Sequence, residues 1–337
     1  MEPNNQNNPV RKIRNFRTNL LWILFIFLFN YILVSGILTI PFDALTVAIQ
    51  DSISNGLFHI LFNYTYTIIS IVVLFLVTWY IRPNRYIWKS FLLPRKDTAG
   101  KADESDILAD FYGRHHNSFK MLGWGLLLGF LGNGFAILCA WLHQDIKLYF
   151  DFSVKQIPLM LFAAVSVIIQ STSEELWCRG YLYERVHERY PLWISAAVNG
   201  LLFGLLHCLN EGATPLSILS IAICGISYSL LRWYTGSIWI LMGCHAAWNF
   251  TQAFLFGLPN SGLVSAVSIF HLEASTGVTN LFYDFAFGVE GGVPALLVDL
   301  SLGLIILFLA YKKGRLGELF MNQPMAIEAA NSSADRK

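Results

Sequence analysis

Charged residues are scarce in this sequence. Of its 337 residues only 13% are Asp, Glu, Lys or Arg, whereas 55% are hydrophobic, and the mean hydropathy is +0.51. A soluble globular domain carries about 25% charged residues, so this chain cannot cover a water-facing surface of ordinary composition. That excludes a typical cytosolic enzyme and a disordered regulator. The net charge of +1 gives no positive excess for a polyanion, so we expect no nucleic-acid partner.

Cysteine is rare, and its pattern gives no sign of a disulfide framework or a zinc-type Cys-x-x-Cys pair. The number of cysteines is odd, and each lies in an apolar stretch. We therefore predict small buried apolar side chains without disulfides. They are Cys139, Cys178, Cys208, Cys224 and Cys244.

Long apolar runs, in contrast, are abundant. About 20 mostly apolar residues cross a hydrocarbon core of about 30 Å, and the backbone must satisfy its own polar groups there, which favours helices. We predict an all-α, polytopic transmembrane bundle of about eight spans. The predicted spans are 19–40, 57–81, 121–142, 157–185, 193–209, 215–231, 237–257 and 293–311.

The distribution of Lys and Arg orients these spans. Basic residues are frequent in 1–18 and 82–120, whereas 41–56 and 258–292 contain none. Because basic loops stay on the cytoplasmic side, the alternation predicts that both termini are cytoplasmic.

The same features suggest a division of the chain. We expect a cytoplasmic tail at 1–18 and a three-helix membrane region at 19–142, which includes a cytoplasmic linker at 82–120. A second membrane domain covers 157–311. The polar tail 312–337 is predicted to be cytoplasmic and disordered.

One predicted span contains an unexpected charged cluster. Each ionisable residue inside a span costs about 2.5–3.5 kcal/mol, so such residues persist when they are paired or functional. Glu175 and Arg179 are four residues apart, on one helical face, and can form an ion pair. Glu174 is rotated by about 100° and has no such cation, which suits a general base. The alternative is that the helix ends at Thr172 and both glutamates lie on the cytoplasmic surface.

Two further spans carry polar residues. Gly200 and Gly204 permit close helix approach on the face of His207, which should therefore point toward protein. His245 and Asn249 are again four residues apart. A neutral imidazole can bind a metal or polarise a carbonyl, and an amide can donate to an oxyanion. Taken singly, these residues could equally be structural hydrogen-bonding groups.

Depth argues for one shared site. With a rise of about 1.5 Å per residue, Glu174, His207, His245 and Asn249 lie roughly 13–21 Å from the cytoplasmic edge. Together they form a hydrolytic set, in which Glu174 deprotonates a water and Asn249 stabilises the oxyanion. His207 and His245 either orient this water or, with Glu174, hold a divalent metal such as zinc. If Glu174 is a metal ligand, Glu175 becomes the better candidate for the base.

The three patterns carry a family resemblance. Glu-Glu-x-x-x-Arg, Phe-x-x-x-His and His-x-x-x-Asn, each on its own span, resemble the CPBP family. This family comprises the CAAX proteases and bacteriocin-processing enzymes, also called the Abi family of intramembrane metalloproteases. The resemblance covers about 157–309. The segments 256–262 (Phe-Gly-x-Pro-x-Ser-Gly) and 287–292 (Phe-Gly-x-Glu-Gly-Gly) resemble bacterial members.

The resemblance implies that 157–311 is a catalytic domain in a bacterial plasma membrane. The implied activity is endoproteolysis of a membrane-associated peptide or protein, with membrane lipid around the enzyme and zinc as the metal. Cys178 departs from the family, in which an aromatic residue is frequent, so we expect a different pocket shape there. The implied site residues are Glu174 as the catalytic glutamate, Glu175 and Arg179 as its supporting pair, His207 and His245 as catalytic or metal-binding histidines, and Asn249 as the oxyanion partner.

Two other classes of function stay open. A non-enzymatic bacteriocin self-immunity or scaffold protein would tolerate the loss of Glu174. An ion-coupled transporter would use Asp299 and His59 with the same polar cluster as a relay. We see no internal sequence repeat, which many transporters have, so the enzyme is favoured.

Overall fold

The structure is a computed structural model that describes residues 20–80, 116–150, 152–265, 267–274 and 279–322. The predicted N-terminal tail, most of the linker 82–120 and the end of the C-terminal tail lie outside these residues. The cytoplasmic location of both termini therefore stays a prediction.

The predicted all-α bundle is confirmed. Eight helical runs make up most of the described residues, and six of them are long and apolar enough to cross a membrane. Large apolar side chains such as Leu21, Phe130 and Leu304 are exposed on the outer faces, as expected for helices in contact with lipid. The chain is an integral membrane protein. The runs are α1 (Leu20–Ala48), α2 (Asn55–Tyr80), α3 (Phe119–Leu142), α4 (157–187), α5 (Leu192–Leu206), α6 (Pro215–Thr235), α7 (239–255) and α8 (Val293–Lys312).

Three of these runs contain π-helical segments. They are Phe29–Val34 in α1, Leu176–Leu182 in α4 and Thr251–Leu255 in α7. Such segments insert extra residues into a turn and are frequent at functional sites. The segment in α4 begins directly after Glu175, so it changes the direction of every side chain that follows.

The first helix is longer than its sequence predicted. It continues through Pro41 to Ala48, although the expected end was residue 40. Proline removes one helical hydrogen bond, but the apolar composition around it still favours helix. The hydroxyls of Thr39 and Thr46 donate to the backbone carbonyls of Ser35 and Phe42 at 2.8 and 2.9 Å.

A small two-stranded antiparallel sheet was not predicted. Strand β1 (Ile146–Phe150) follows α3, and strand β2 (Phe270–Ala274) follows α7. The register pairs Ile146 with Ala274 and Phe150 with Phe270. The sheet joins the segments that follow two helices already packed together.

The cysteine prediction is confirmed in one respect and wrong in another. All five thiols are free, and Cys178 and Cys244 are buried. Cys208 is exposed instead. It lies just beyond the end of α5, where the chain leaves the packed helices.

Glycine residues allow two pairs of helices to cross closely: α3 with α7, and α5 with α6. A Cβ atom at Gly125 or Gly129 of α3 would clash with the carbonyl oxygen of Ile240 or Cys244 of α7. At the second crossing, between α5 and α6, a Cβ at Gly200 would lie 2.6 Å from the carbonyl oxygen of Ala222. Small residues let helix backbones approach in this way. Because Cys244 precedes His245, the first crossing fixes the position of that histidine.

We expect Gly129→Ala to destabilise the protein by about 1–3 kcal/mol, because the added methyl pushes α7 away from α3. The shift also moves His245, so the activity proposed below should fall. Gly134→Ala is the matched control, since nothing lies within 4 Å of a Cβ there and alanine favours helix over glycine. Thermal unfolding in detergent measures both variants. Equal unfolding temperatures for the two would contradict the tight crossing.

Candidate active site

The predicted polar residues meet at one cavity of about 490 Å³. Glu174 of α4, His207 at the end of α5, and His245 and Asn249 of α7 all line it. Glu175 and Arg179 lie behind its wall and are fully buried. The structure thus brings together residues that the sequence places on three separate helices.

Glu175 contacts both Arg179 and His245. Its Oε1 accepts from Arg179 Nη1 at 3.0 Å and lies 2.9 Å from His245 Nδ1. The Arg179 guanidinium also stacks over the rings of Phe203 and Tyr228, with centroid distances of 4.2 and 5.4 Å. The alternative of two surface glutamates is wrong, because α4 continues past Thr172 and Glu175 has no exposed area. The cation offsets the cost of burying the carboxylate.

Glu174 lies close to His245 at the cavity wall. Its Oε2 lies 3.8 Å from His245 Nε2 and has no hydrogen-bond partner among the described residues. Since the Glu175 carboxylate can only accept, we assign the His245 proton to Nδ1, which leaves Nε2 as an acceptor. Two acceptors at this spacing suit a water molecule that donates one hydrogen to each.

Gln170 is a site residue that the sequence reasoning missed. Its Oε1 accepts from Asn249 Nδ2 at 2.9 Å, and its Nε2 donates to Glu174 Oε1. Gln170 therefore joins the predicted oxyanion partner to the predicted base. A signal was present, because Gln170 is polar in an apolar run and lies four residues before Glu174, on the same helical face.

His207 lies at the end of α5, beside Phe203. It caps the C-terminus of α5 rather than lying within the helix, and its Nδ1 bonds to the Phe203 carbonyl at 2.8 Å. The Phe203 ring contacts both imidazoles, with centroid distances of 4.9 Å to His207 and 6.2 Å to His245. One aromatic ring therefore lies beside both histidines of the site.

The predicted metal ligands do not form a three-ligand centre. Within the described ranges no group of three or more His, Cys, Asp or Glu residues could hold a metal ion. Glu174 and His245 face each other, and His207 is not grouped with them as a third ligand. A catalytic zinc needs three protein ligands at about 2.0–2.2 Å. As placed, these side chains do not form such a ligand set, and a bound metal stays a prediction.

Two more acids line the cavity, Glu290 and Asp299. Glu290 Oε1 accepts from Trp248 Nε1 at 3.1 Å, and its Oε2 accepts from the Ser261 hydroxyl at 2.6 Å. Burial raises the pKa of Glu290, and the bonds from Ser261 counteract that rise. The motif 287–292 was the sequence signal for this residue, although it was not assigned to the site.

Two expectations about other residues are wrong. Cys178 was expected to change the pocket shape, but it is fully buried and does not line the cavity. The π-helical segment Leu176–Leu182 breaks the four-residue spacing on which that expectation depended. His59, a candidate for the transporter relay with Asp299, lies beside a different and much smaller cavity.

Comparisons with known proteins agree with the resemblance seen in the motifs. Residues 156–251 match the model of a family described as type II CAAX prenyl endopeptidase Rce1-like, which confirms the resemblance to CAAX proteases over this segment. All six predicted site residues fall inside it. The match supports a CAAX-protease-like endopeptidase.

One curated protein is also similar to this chain. YyaK, an uncharacterized protein of Bacillus subtilis (strain 168), is 29% identical over 152 residues, or 43% of this chain and 50% of YyaK. The chain thus matches about half the length of this curated relative. No solved structure matches the chain.

Proposed function

We propose that this protein is an intramembrane endopeptidase in which Glu174 activates water to cleave a membrane-associated peptide or protein. The observation that carries the proposal is the pair of facing acceptors, Glu174 Oε2 and His245 Nε2, 3.8 Å apart at the cavity wall. The buried Glu175–Arg179 pair holds the imidazole in that orientation. The family match of residues 156–251 supports the same class of reaction.

The proposed reaction begins with a water bound between Glu174 and His245. Glu174 takes one proton as the hydroxide attacks the scissile carbonyl carbon, and the carbonyl oxygen becomes an oxyanion. Asn249 has a second Nδ2 hydrogen besides the one donated to Gln170, and this hydrogen stabilises the oxyanion. When the C–N bond breaks, Glu174 returns its proton to the leaving amine. Atoms and charge balance without another reactant.

The cavity lining supports an apolar substrate segment. Ile32, Leu206 and Leu263 line it together with the polar groups. Apolar walls with a few convergent polar groups are typical of binding sites that orient a largely apolar ligand. A peptide segment associated with the membrane fits this description.

The experiment is a quenched-peptide cleavage assay on the detergent-purified full chain. We expect His245→Ala to lower kcat about 100-fold or more, because the water loses one of its two acceptors. His271→Ala is the control, since this histidine is exposed on β2, and it should cleave like the wild type. No cleavage by a folded wild-type protein would favour the scaffold alternative.

Metal analysis of the same samples tests the zinc expectation separately. Stoichiometric zinc that is lost in both His207→Ala and His245→Ala would mean that these side chains rearrange into a shared ligand set. The role of the base would then pass from Glu174 to Glu175. Zinc that is equal in both variants and the wild type would contradict a histidine-bound metal.

A further inference from the structure

Two motifs that the proposed reaction does not use meet at the cavity. They are 256–262 and 287–292, both in the region between α7 and α8. Asn260 and Ser261 from the first, Leu263 directly after it, and Glu290 from the second line the cavity that contains Glu174. We call residues 256–263 the outer wall.

Glu290 is the main polar contact of this wall. Its Oε2 accepts from both the backbone N–H and the hydroxyl of Ser261, at 2.8 and 2.6 Å. Its Oε1 accepts from Trp248 Nε1 at 3.1 Å. Only a carboxylate has two oxygens to accept from all three donors, because a glutamine offers a single acceptor oxygen.

Ser261 is held in an unfavourable backbone conformation. Its φ is 49°, a region that residues other than glycine rarely adopt unless surrounding contacts hold them there. Glu290 supplies contacts on one side, and on the other Asn210 Nδ2 donates to the Ser261 carbonyl at 2.9 Å. The shape of the wall therefore depends on these side chains.

The second anchor of the wall comes from α7. Gln252 Nε2 donates to the Pro259 carbonyl at 2.6 Å, and Gln252 Oε1 accepts from Asn133 of α3 at 2.7 Å. Gly288 has a φ of 97° and brings its backbone against the same Pro259 carbonyl, where a Cβ would clash. The wall thus depends on a few polar contacts and one close backbone approach.

The position of helix α7, unlike that of the outer wall, does not depend on Glu290. Its crossing with α3 is fixed by the glycine contacts at Ile240 and Cys244, and Trp248 is itself buried among apolar residues. Loss of the Glu290 carboxylate should therefore release the wall before it moves His245 or Asn249.

We propose that Glu290 is a positioning residue that fixes the outer wall and thereby sets how tightly the cavity binds its substrate. The kinetic consequence rests on the proposed endopeptidase activity. The structural consequence, a more open wall, does not.

The kinetic test is Glu290→Gln in the peptide assay. We expect KM to rise about tenfold or more, as for the loss of a charge-assisted hydrogen bond, with kcat changed by less than about threefold. Glu211→Gln is the matched control, because this residue is exposed and its backbone lies against Gly262 of the wall. A fall in kcat with unchanged KM, or no change in either constant, would overturn the proposal.

A second variant separates the carboxylate from the hydroxyl. Ser261→Gly removes the hydroxyl, which is one of the three donors to Glu290, and keeps the backbone N–H. It also relieves the strained φ. We expect a rise in KM smaller than that of Glu290→Gln. An equal or larger rise would mean that the Ser261 hydroxyl acts on the substrate directly, which contradicts the positioning role.

Thiol labelling tests the wall without any activity. Leu258 is a buried residue of the wall, only 1% exposed, so Leu258→Cys should react slowly with a maleimide. The Cys208→Ser background removes the exposed native thiol. Adding Glu290→Gln should speed this labelling about tenfold or more, and adding Glu211→Gln should not. Equal labelling rates would refute the proposal even if the protein cleaves peptides, and faster labelling would support it even if no peptide is cleaved.

Discussion

Glu174→Gln is expected to lower kcat about a thousandfold or more while KM changes only a few-fold. Glutamine has nearly the same size, so the fold and the cavity should remain, but an amide cannot take a proton from water. General-base catalysis contributes about 10²–10⁴ in rate, and the lost base also fails to protonate the leaving amine. The quenched-peptide assay on the detergent-purified variant measures the change.

Glu211→Gln serves as the matched control for Glu174→Gln, because the Glu211 carboxylate is exposed and does not line the cavity. Its kcat should equal that of the wild type. Cleavage by Glu174→Gln within about tenfold of the wild type would remove Glu174 from the mechanism. Such a result combined with inactive Glu175→Gln would assign the base to Glu175.

Arg179→Met is expected to have the largest effect on stability, about 3–5 kcal/mol. Arg179 and Glu175 are fully buried and 3.0 Å apart. Without the guanidinium, the Glu175 carboxylate is a buried charge without its cation, and the stacking on Phe203 and Tyr228 is lost as well. Native domains have only about 5–15 kcal/mol of stability, so much of the protein should unfold or aggregate during purification. Thermal unfolding in detergent and the yield of monodisperse protein give the result.

The double variant Arg179→Met with Glu175→Gln separates charge burial from packing. It removes both charges of this buried pair, so we expect it to recover most of the lost stability. Activity should stay low, because a neutral amide holds the Nδ1 proton of His245 less firmly than the Glu175 carboxylate does. The exposed Lys120 provides the control variant Lys120→Met, which should be as stable as the wild type. An Arg179→Met protein as stable as the wild type would mean that Glu175 is uncharged in the native protein.

These predictions act on different parts of one arrangement. Glu174 lines the cavity and acts on water in the proposed reaction, whereas Glu175 and Arg179 lie behind the cavity wall and hold His245. Two neighbouring glutamates therefore have different roles, because one helical step turns their side chains by about 100°. That difference makes the two sets of variants separable by rate and by stability.

Much of this protein was determined by its sequence alone. The apolar runs predict all eight helices, because a chain in lipid has few alternatives to helix. The four-residue spacing predicts the Glu175–Arg179 pair, which depends only on local helix geometry. Polar and ionisable side chains are rare in lipid, which identifies Glu174, His207, His245 and Asn249 as candidate members of one site.

Only the tertiary structure decided how these residues are connected. The contact of His245 with Glu175, the link from Asn249 through Gln170 to Glu174, and the Phe203 ring beside both imidazoles depend on which helices are neighbours and how each is rotated. The π-helical segments also matter, because each one rotates the side chains that follow it relative to those before it. Cys178, for example, lies four residues after Glu174 but does not line the cavity. The Glu290 contact with Ser261 joins residues 29 positions apart in a region without helical periodicity. No local rule relates such residues, since their distance is set by the packing of the whole bundle.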